Sequence, residues 1–222
     1  RTYLLAGSAM TVLITGFEPF GGESVNPSWL TVHALAGSRI NDRSIVGACL
    51  PTAFGTSLQA LAALIDLHRP DIVIAVGQAG GRHAISLERV AINLDDARIP
   101  DNLGAQPIDR PIIEAAPAAY FSSLPIKAIV RQLRDEGLPA DVSNSAGTYV
   151  CNHVFYGLMH LCRHYPGMRA GFVHIPYVAE QVLAHPGAPG MALQDLVRAM
   201  AIIVRTAIDN TSDIAFSEGT EC

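Results

Sequence analysis

Asp71-Ile-Val-Ile-Ala-Val76 runs directly into Gly77-Gln-Ala-Gly-Gly81. From Ile72 to Val76 both faces of the segment are apolar, the pattern of a strand buried on both sides of a parallel sheet. A half-exposed antiparallel strand would alternate instead. Upstream, Leu58, Leu61, Leu64, Ile65 and Leu67 fall on one helical face, so a helix leads into this strand. Thr11–Thr15 is a β-branched run ended by Gly16. Asn26-Pro27 opens a helix, with Asn as cap and Pro where a missing N–H costs nothing; Gly37 ends it. Ser44–Leu50 reads as a second strand. Downstream, Ala84–Asn93 reads as a strand and Asp95–Pro111 as a long loop rich in polar residues and proline. Ile126–Gly137 reads as a helix, Val142 as the start of a short strand, and Tyr149–His164 as a helix. Gly171–Ile175 reads as a strand and Met191–Asp209 as an amphipathic helix.

Strands alternating with helices specify an α/β fold, a three-layer α/β/α sandwich around a mainly parallel, twisted sheet. There is no repeat, low-complexity tract or linker, so residues 10–222 are expected to form one domain. Arg1–Ala9, ahead of Met10, is expected to be a remnant outside that domain, and residues 211–222 a mobile tail. In sheets of this kind ligands sit beyond the carboxyl ends of strands. That directs attention to residues 16–22, 77–81, 143–151 and 174–177.

The composition narrows the function. The chain has 222 residues, half of them hydrophobic and 16% charged, with mean hydropathy +0.29. Disorder needs the reverse balance. Fifteen Lys and Arg against 20 Asp and Glu give a net charge of −5, the wrong sign for a phosphate-neutralising surface, so no nucleic-acid partner is expected. No window holds the ~20 apolar residues of a membrane span; Leu58–Val76 is interrupted by Asp66, His68, Arg69, Pro70 and Asp71. Four dispersed cysteines, with no Cys-x-x-Cys pair, read as a reducing, cytoplasmic protein.

Two glycine-rich loops follow strands, Gly16-Phe-Glu-Pro-Phe-Gly-Gly22 and Gly77-Gln-Ala-Gly-Gly81. Neither has the spacing of a dinucleotide fingerprint or a P-loop lysine. They are either tight turns or the backbone lining of a small pocket, with Phe17 and Phe20 as apolar walls. Cys151, in Ser145-Ala-Gly-Thr-Tyr-Val-Cys-Asn152, lies where a strand passes into a helix. Exposed N–H groups and the helix dipole would favour a thiolate there; the alternative is an inert buried cysteine. Cys49 and Cys162 read as core. His160 and His164, with Cys162, make only half of a zinc motif, so neither metal nor cofactor is expected. His174 ends an apolar strand at the carboxyl edge, as a core histidine or a base. Glu88 is either exposed or buried with a partner; a buried carboxylate would orient a histidine. Arg98 is a loop arginine, by default a weak surface ion pair.

Taken together, Gly16–Gly22 with Asn26-Pro-Ser28, Leu50-Pro-Thr52, Val76-Gly-Gln-Ala-Gly-Gly-Arg82, Glu88-Arg-Val-Ala-Ile-Asn93, Asp96-Ala-Arg-Ile-Pro-Asp-Asn102, Ser145–Asn152 and Phe172-Val-His-Ile-Pro176 resemble the pyroglutamyl-peptidase I (pyrrolidone-carboxylate peptidase) family of cysteine peptidases. The resemblance implies a Cys151–His174–Glu88 triad and removal of an N-terminal 5-oxoprolyl residue from peptides without metal or cofactor. It implies pocket roles for Phe17, Phe20 and Gln78, for Asn26 and Thr52, and a place near the nucleophile for Arg98. It also implies a homo-oligomer, tetramer or dimer. In that reading His174 would hold Cys151 as a thiolate. A non-catalytic binder of cyclic amides and a thiol amidase acting on free amides are the competing functions.

Overall fold

The computed structural model describes residues 10–219; the expectation for Arg1–Ala9 and residues 220–222 of the tail lie outside them. In chain order the elements are β1 (Thr11–Phe17), α1 (Pro27–Leu35), β2 (Arg39–Ile40), β3 (Arg43–Leu50), α2 (Thr56–His68), β4 (Ile72–Gln78), β5 (Ile85–Glu88), β6 (Val90–Ile92), β7 (Ala119–Phe121), α3 (Ile126–Asp135), β8 (Ala140–Ser143), α4 (Val150–Cys162), β9 (Arg169–Ile175), β10 (Tyr177–Val178), β11 (Gly190–Met191) and α5 (Leu193–Asp209). A 3₁₀ turn covers Ala179–Leu183.

Seven strands form one sheet in the order β2-β3-β1-β4-β9-β5-β8. Four of its six pairings are parallel; β2–β3 and β5–β9 are antiparallel. Every residue of β4 is buried, as its two apolar faces require. One face packs on α1, α3 and α5 through residues such as Ile74, Val76, Ile129 and Ile203. The other packs on α2 and α4 through Leu13, Leu61, Val154, Phe155 and Phe172. The α/β/α sandwich expected from the alternation is therefore the fold. Among the described residues no helix is long and apolar enough to cross a membrane.

Local chemistry fixes the elements that matter for the site. Asn26 caps α1, accepting from the Ser28 N–H at 3.0 Å, and Pro27 takes the first helical position. β2 and β3 meet at Asn41-Asp42, both at positive φ (46° and 60°), a turn that Asn and Asp tolerate. The single strand expected over Ala84–Asn93 is broken at Arg89. Its first half, β5, belongs to the main sheet. Its second half, β6, pairs with β7 in a separate ribbon. The Arg89 backbone makes the hand-over, donating to Ser143 O (2.8 Å) and accepting from Ser122 N (2.9 Å). The long loop is anchored at Asp95–Arg110. Cys49, read as core, is exposed.

The chain beyond α5 has no regular structure through Gly219, yet its side chains dock. Asp213 accepts from the N–H groups of Lys127 and Ala128 (3.0 Å each), capping α3, whose own Pro125 offers no side-chain cap. Glu218 pairs with Arg134.

Candidate active site

The sheet register assembles the site. Ser86 lies opposite His174 and Glu88 opposite Phe172 across the antiparallel β5–β9 pair. With a side-chain period of two, Glu88 and His174 share a face as diagonal neighbours. The Glu88 carboxylate is completely buried and its Oε1 accepts from His174 Nδ1 at 2.7 Å, with the histidine 4% exposed. This bond fixes the tautomer, with the proton on Nδ1 and the lone pair on Nε2. The His174 ring also packs on Phe172, centroids 4.9 Å apart.

On the opposite side β4 runs parallel to β9 and places Gly77 beside His174. A Cβ at Gly77 would stand 2.8 Å from Cys151 Sγ and 2.9 Å from Phe172 Cζ. The missing side chain is thus the space into which the sulfur reaches. Cys151 is the second residue of α4, where the backbone N–H groups of Val150 and Cys151 have no intrahelical acceptor.

Electrostatics favour a protonated thiol in the resting state. Burial pushes the Cys151 thiol up to about 12; the negative charge of Glu88 adds to this, and only Arg82 opposes it. Glu88 shifts the other way. Burial would raise its carboxyl, but the His174 hydrogen bond and charge, the Ser143 hydroxyl and Arg82 together hold it below the ordinary carboxylate range. These directions favour a carboxylate beside a thiol, and a thiol held in that form needs a base to take its proton before it attacks.

Next to the thiol lies a small, narrow cavity. Phe17, Phe20, Tyr149 and Val150 give it apolar walls; Asn26, Thr52 and Gln78 supply the polar groups; Cys151 ends it. None of these side chains carries a charge. Phe20 and Tyr149 face each other with centroids 6.0 Å apart, and Phe54 packs edge-on against Tyr149 from behind at 5.5 Å.

The polar groups divide into two kinds. Asn26 Nδ2 and Thr52 Oγ1 both donate to Glu18 O, at 3.0 and 2.9 Å, and so hold the Gly16–Gly22 loop rather than point free donors at a ligand. Gln78 Oε1 accepts from Gln181 Nε2 at 3.2 Å, which leaves the Gln78 amide N–H₂ as the available donor. Arg98 is not in this cavity. It is exposed on the wall of an adjoining open cleft that shares Phe20 and Tyr149. The His160 and His164 rings lie apart from the site, with His160 Nδ1 engaged by the Tyr120 hydroxyl at 2.9 Å.

Four residues of the site escaped the sequence reading. Tyr149 and Val150, immediately before Cys151, were readable from position alone. Gln181 sits within the 3₁₀ turn Ala179–Leu183, which has no periodic signal. Arg82 donates to Glu88 Oε1 at 2.7 Å, and its glycine-rich turn gave no hint of that partner.

A thiol at a helix start and a carboxylate-anchored histidine at the carboxyl edge of a mainly parallel sheet are groups able to serve nucleophilic chemistry. Comparison with known proteins specifies the class. The family model for pyroglutamyl peptidase matches residues 10–210, and the chain belongs to that family. It is 58% identical over 206 residues to the pyrrolidone-carboxylate peptidase of Cupriavidus taiwanensis, covering 92% of this chain and 95% of the relative. It is 55% identical over 215 residues to pyrrolidone-carboxylate peptidase 1 of Photorhabdus laumondii, covering 94% and 98%. The crystal structure of pyroglutamyl peptidase I from Bacillus amyloliquefaciens superposes with a TM-score of 0.91 at 52% identity, covering 94% of this chain and 99% of that one. A mutant pyrrolidone carboxyl peptidase from Pyrococcus furiosus gives 0.87 at 43% identity, covering 90% and 99%.

Proposed function

We propose that this chain removes an N-terminal pyroglutamyl residue from peptides, with Cys151 as nucleophile, His174 as base and then acid, and Glu88 as the group that orients His174. The observation that carries this reading is the uncharged cavity ending on the thiol. An ordinary peptide N-terminus is an ammonium group, and burying it here without a carboxylate would be costly. Pyroglutamate is blocked as a lactam, small and flat, with one N–H and one C=O. Phe17, Phe20 and Tyr149 supply apolar contact for such a ring, and the Gln78 amide is a donor for its carbonyl.

The steps balance as follows. His174 Nε2 takes the Cys151 thiol proton as sulfur attacks the pyroglutamyl carbonyl carbon. The N–H groups at the start of α4 receive the oxyanion. The tetrahedral species collapses, the C–N bond breaks, and the imidazolium gives its proton to the leaving amine. Water then attacks the thioester with His174 again as base, releasing pyroglutamate and restoring the thiol. Glu88, held ionised, stabilises the transient imidazolium without taking its proton. The homo-oligomer and the cytoplasmic location belong to the same proposal and are read by sedimentation and by cell fractionation.

The deciding experiment is hydrolysis of a pyroglutamyl-arylamide beside its prolyl and glutaminyl counterparts, with and without iodoacetamide. Rapid turnover of the first only, abolished by the alkylator, is the expected result. A site built around a ring carbonyl rejects the analogue lacking it by ~10⁴-fold or more. Comparable kcat/KM for the prolyl and pyroglutamyl substrates overturns the assignment, and activity that survives full alkylation of Cys151 overturns the thiol mechanism.

A further inference from the structure

Glu88 Oε1 receives two donors. His174 Nδ1 approaches at 2.7 Å and Arg82 Nη1 at 2.7 Å. The same guanidinium extends its other arm, Nη2, to the carbonyl of Ser145 at 3.0 Å. Ser145 lies in the segment that climbs from β8 to α4, so one side chain spans the acidic partner of the base and the loop that delivers the nucleophile.

The backbone forces Arg82 into this position. The turn after β4 closes with Arg82 N donating to Ala79 O at 3.2 Å. Gly81 adopts φ 93°, a conformation other residues resist. At Gly80 a Cβ would stand 2.3 Å from the Tyr177 hydroxyl, so the turn is pressed against β10. Both glycines serve to fold Arg82 back over Glu88. Arg82 retains 32% side-chain exposure whereas Glu88 has none, so its charge sits at the rim of the site rather than within it.

We propose that Arg82 is a positioning and charge-balancing residue of the catalytic apparatus: by sharing the Glu88 oxygen that holds His174 it offsets the carboxylate charge facing the base, and by holding the Ser145 carbonyl it fixes the approach of Cys151. The chemistry requires such a balance. A buried carboxylate alone stabilises the imidazolium. With a protonated thiol beside it, an imidazolium is a base already spent. A guanidinium on the same oxygen offsets the carboxylate charge while leaving the hydrogen bond that orients the ring. The other groups facing the pair are Cys151 from α4, Ser143 and Asp141 from β8, and His83 beside Arg82. Of these, none but Arg82 carries a fixed positive charge. The directions of the perturbations agree, since Arg82 favours both the ionised carboxylate and the ionised sulfur.

This inference rests on the peptidase reading, and the test separates the two. The pH dependence of kcat/KM for the pyroglutamyl-arylamide, and of iodoacetamide inactivation at Cys151, is measured for the wild type, R82M, R82Q and R82K. Alkylation needs no substrate, so it reports on the thiol–histidine pair whether or not the peptidase assignment holds. Removing the positive charge in R82M or R82Q is expected to move the acidic limb of both profiles upward by about one pH unit. R82K keeps the charge but loses the two-armed grip on Ser145. It should leave that limb in place and lower kcat several-fold at nearly unchanged KM. Thermal midpoints identify any variant that fails to fold, and R82Q stands in for R82M in that event. An acidic limb unmoved in both charge-removing variants overturns the proposal and makes the contact an ordinary ion pair. A wild type that is alkylated readily but hydrolyses no pyroglutamyl substrate overturns the peptidase reading instead.

Discussion

Replacing Gly77 by alanine puts a methyl group into the space the Cys151 sulfur occupies. The new Cβ would lie 2.8 Å from Cys151 Sγ and 2.9 Å from Phe172 Cζ. Ordinary contacts are ~3.5–4.0 Å, so both contacts must open by roughly 0.5–1 Å, and what Phe172 cannot give the backbone of β4 must. Phe172 is held between the rings of Phe17 and Phe155, at centroid distances of 6.3 and 5.8 Å, and is 1% exposed, so it has nowhere to go. Cys151 borders the cavity and yields instead. A displacement of ~1 Å at a reacting group costs on the order of 10²-fold in rate. Overpacking in a core costs about 1–3 kcal/mol, and at this chain length each kcal/mol lowers Tm by roughly 2–4 °C. Gly77→Ala should therefore lose about 10²-fold in kcat and roughly 2–12 °C in Tm, read by arylamide kinetics and scanning calorimetry. Gly157→Ala, on the same helix as Cys151, is the control. Its methyl would meet the half-buried Leu58 side chain at 2.3 Å, a flexible group that can turn aside. Activity there should persist. If Gly77→Ala keeps full kcat and an unchanged rate of Cys151 alkylation, the sulfur does not occupy that space during reaction and the argument fails.

Three further outcomes follow from particular contacts. Cys151→Ser should lose at least ~10³-fold in kcat, while Cys49→Ser and Cys162→Ser keep most activity; arylamide kinetics on the three variants decides it. Burial raises the Cys151 and Cys162 thiols to about 12, against ~8.5 for a free thiol. The folded state prefers protonated sulfur, so this stability is intact below pH ~8.5 and drains away as pH rises toward about 12. Tm should decline over that window, less steeply in Cys162→Ser. Asp213→Ala removes the carboxylate that caps α3 from outside the helix; a cap is worth ~1 kcal/mol, so Tm should fall by roughly 2–4 °C with kinetics unchanged.

The layers of the fold were legible because burial writes a periodic signal. Ile72–Val76, apolar on both faces, could only be a central strand, and β4 is wholly buried. The helical spacing of Leu61 and Ile65 points to the face that packs on the sheet. What failed to show was short or dependent on distant partners. β10 and β11 have two residues each, too few for a period. The break at Arg89 left no mark in sequence, because the residues on either side have the same strand composition. What divides β5 from β6 is the hydrogen bonding of Arg89 to Ser143 and Ser122, more than thirty positions away. The docking of Asp213 on α3 is equally non-local, spanning 85 positions to Ala128.

The site shows the same limit more sharply, because the fold holds two buried histidine–carboxylate pairs, one of them two residues from Cys151, and sequence cannot rank them. His153 is two residues from Cys151. Its Nδ1 meets Asp95 Oδ2 at 2.8 Å, closely matching the 2.7 Å between His174 and Glu88. Both histidines are nearly buried. Their second nitrogens decide between them. His153 Nε2 already accepts the backbone N–H of Gly55 at 2.9 Å, so its lone pair is consumed in fastening α4 to the turn before α2. His174 Nε2 has no such bond among the described residues, and its strand partner Gly77 opens the space holding the sulfur. A base must have a free lone pair within reach of the proton it takes. His153 fails that condition through the backbone at Gly55, and the proposed role of His174 rests on its unengaged Nε2 and the missing side chain at Gly77. Neither glycine is a neighbour in sequence of its histidine. The resemblance of Phe172-Val-His-Ile-Pro176 to a family motif pointed to His174, and the contacts that set this ring apart from His153 exist only in the folded chain.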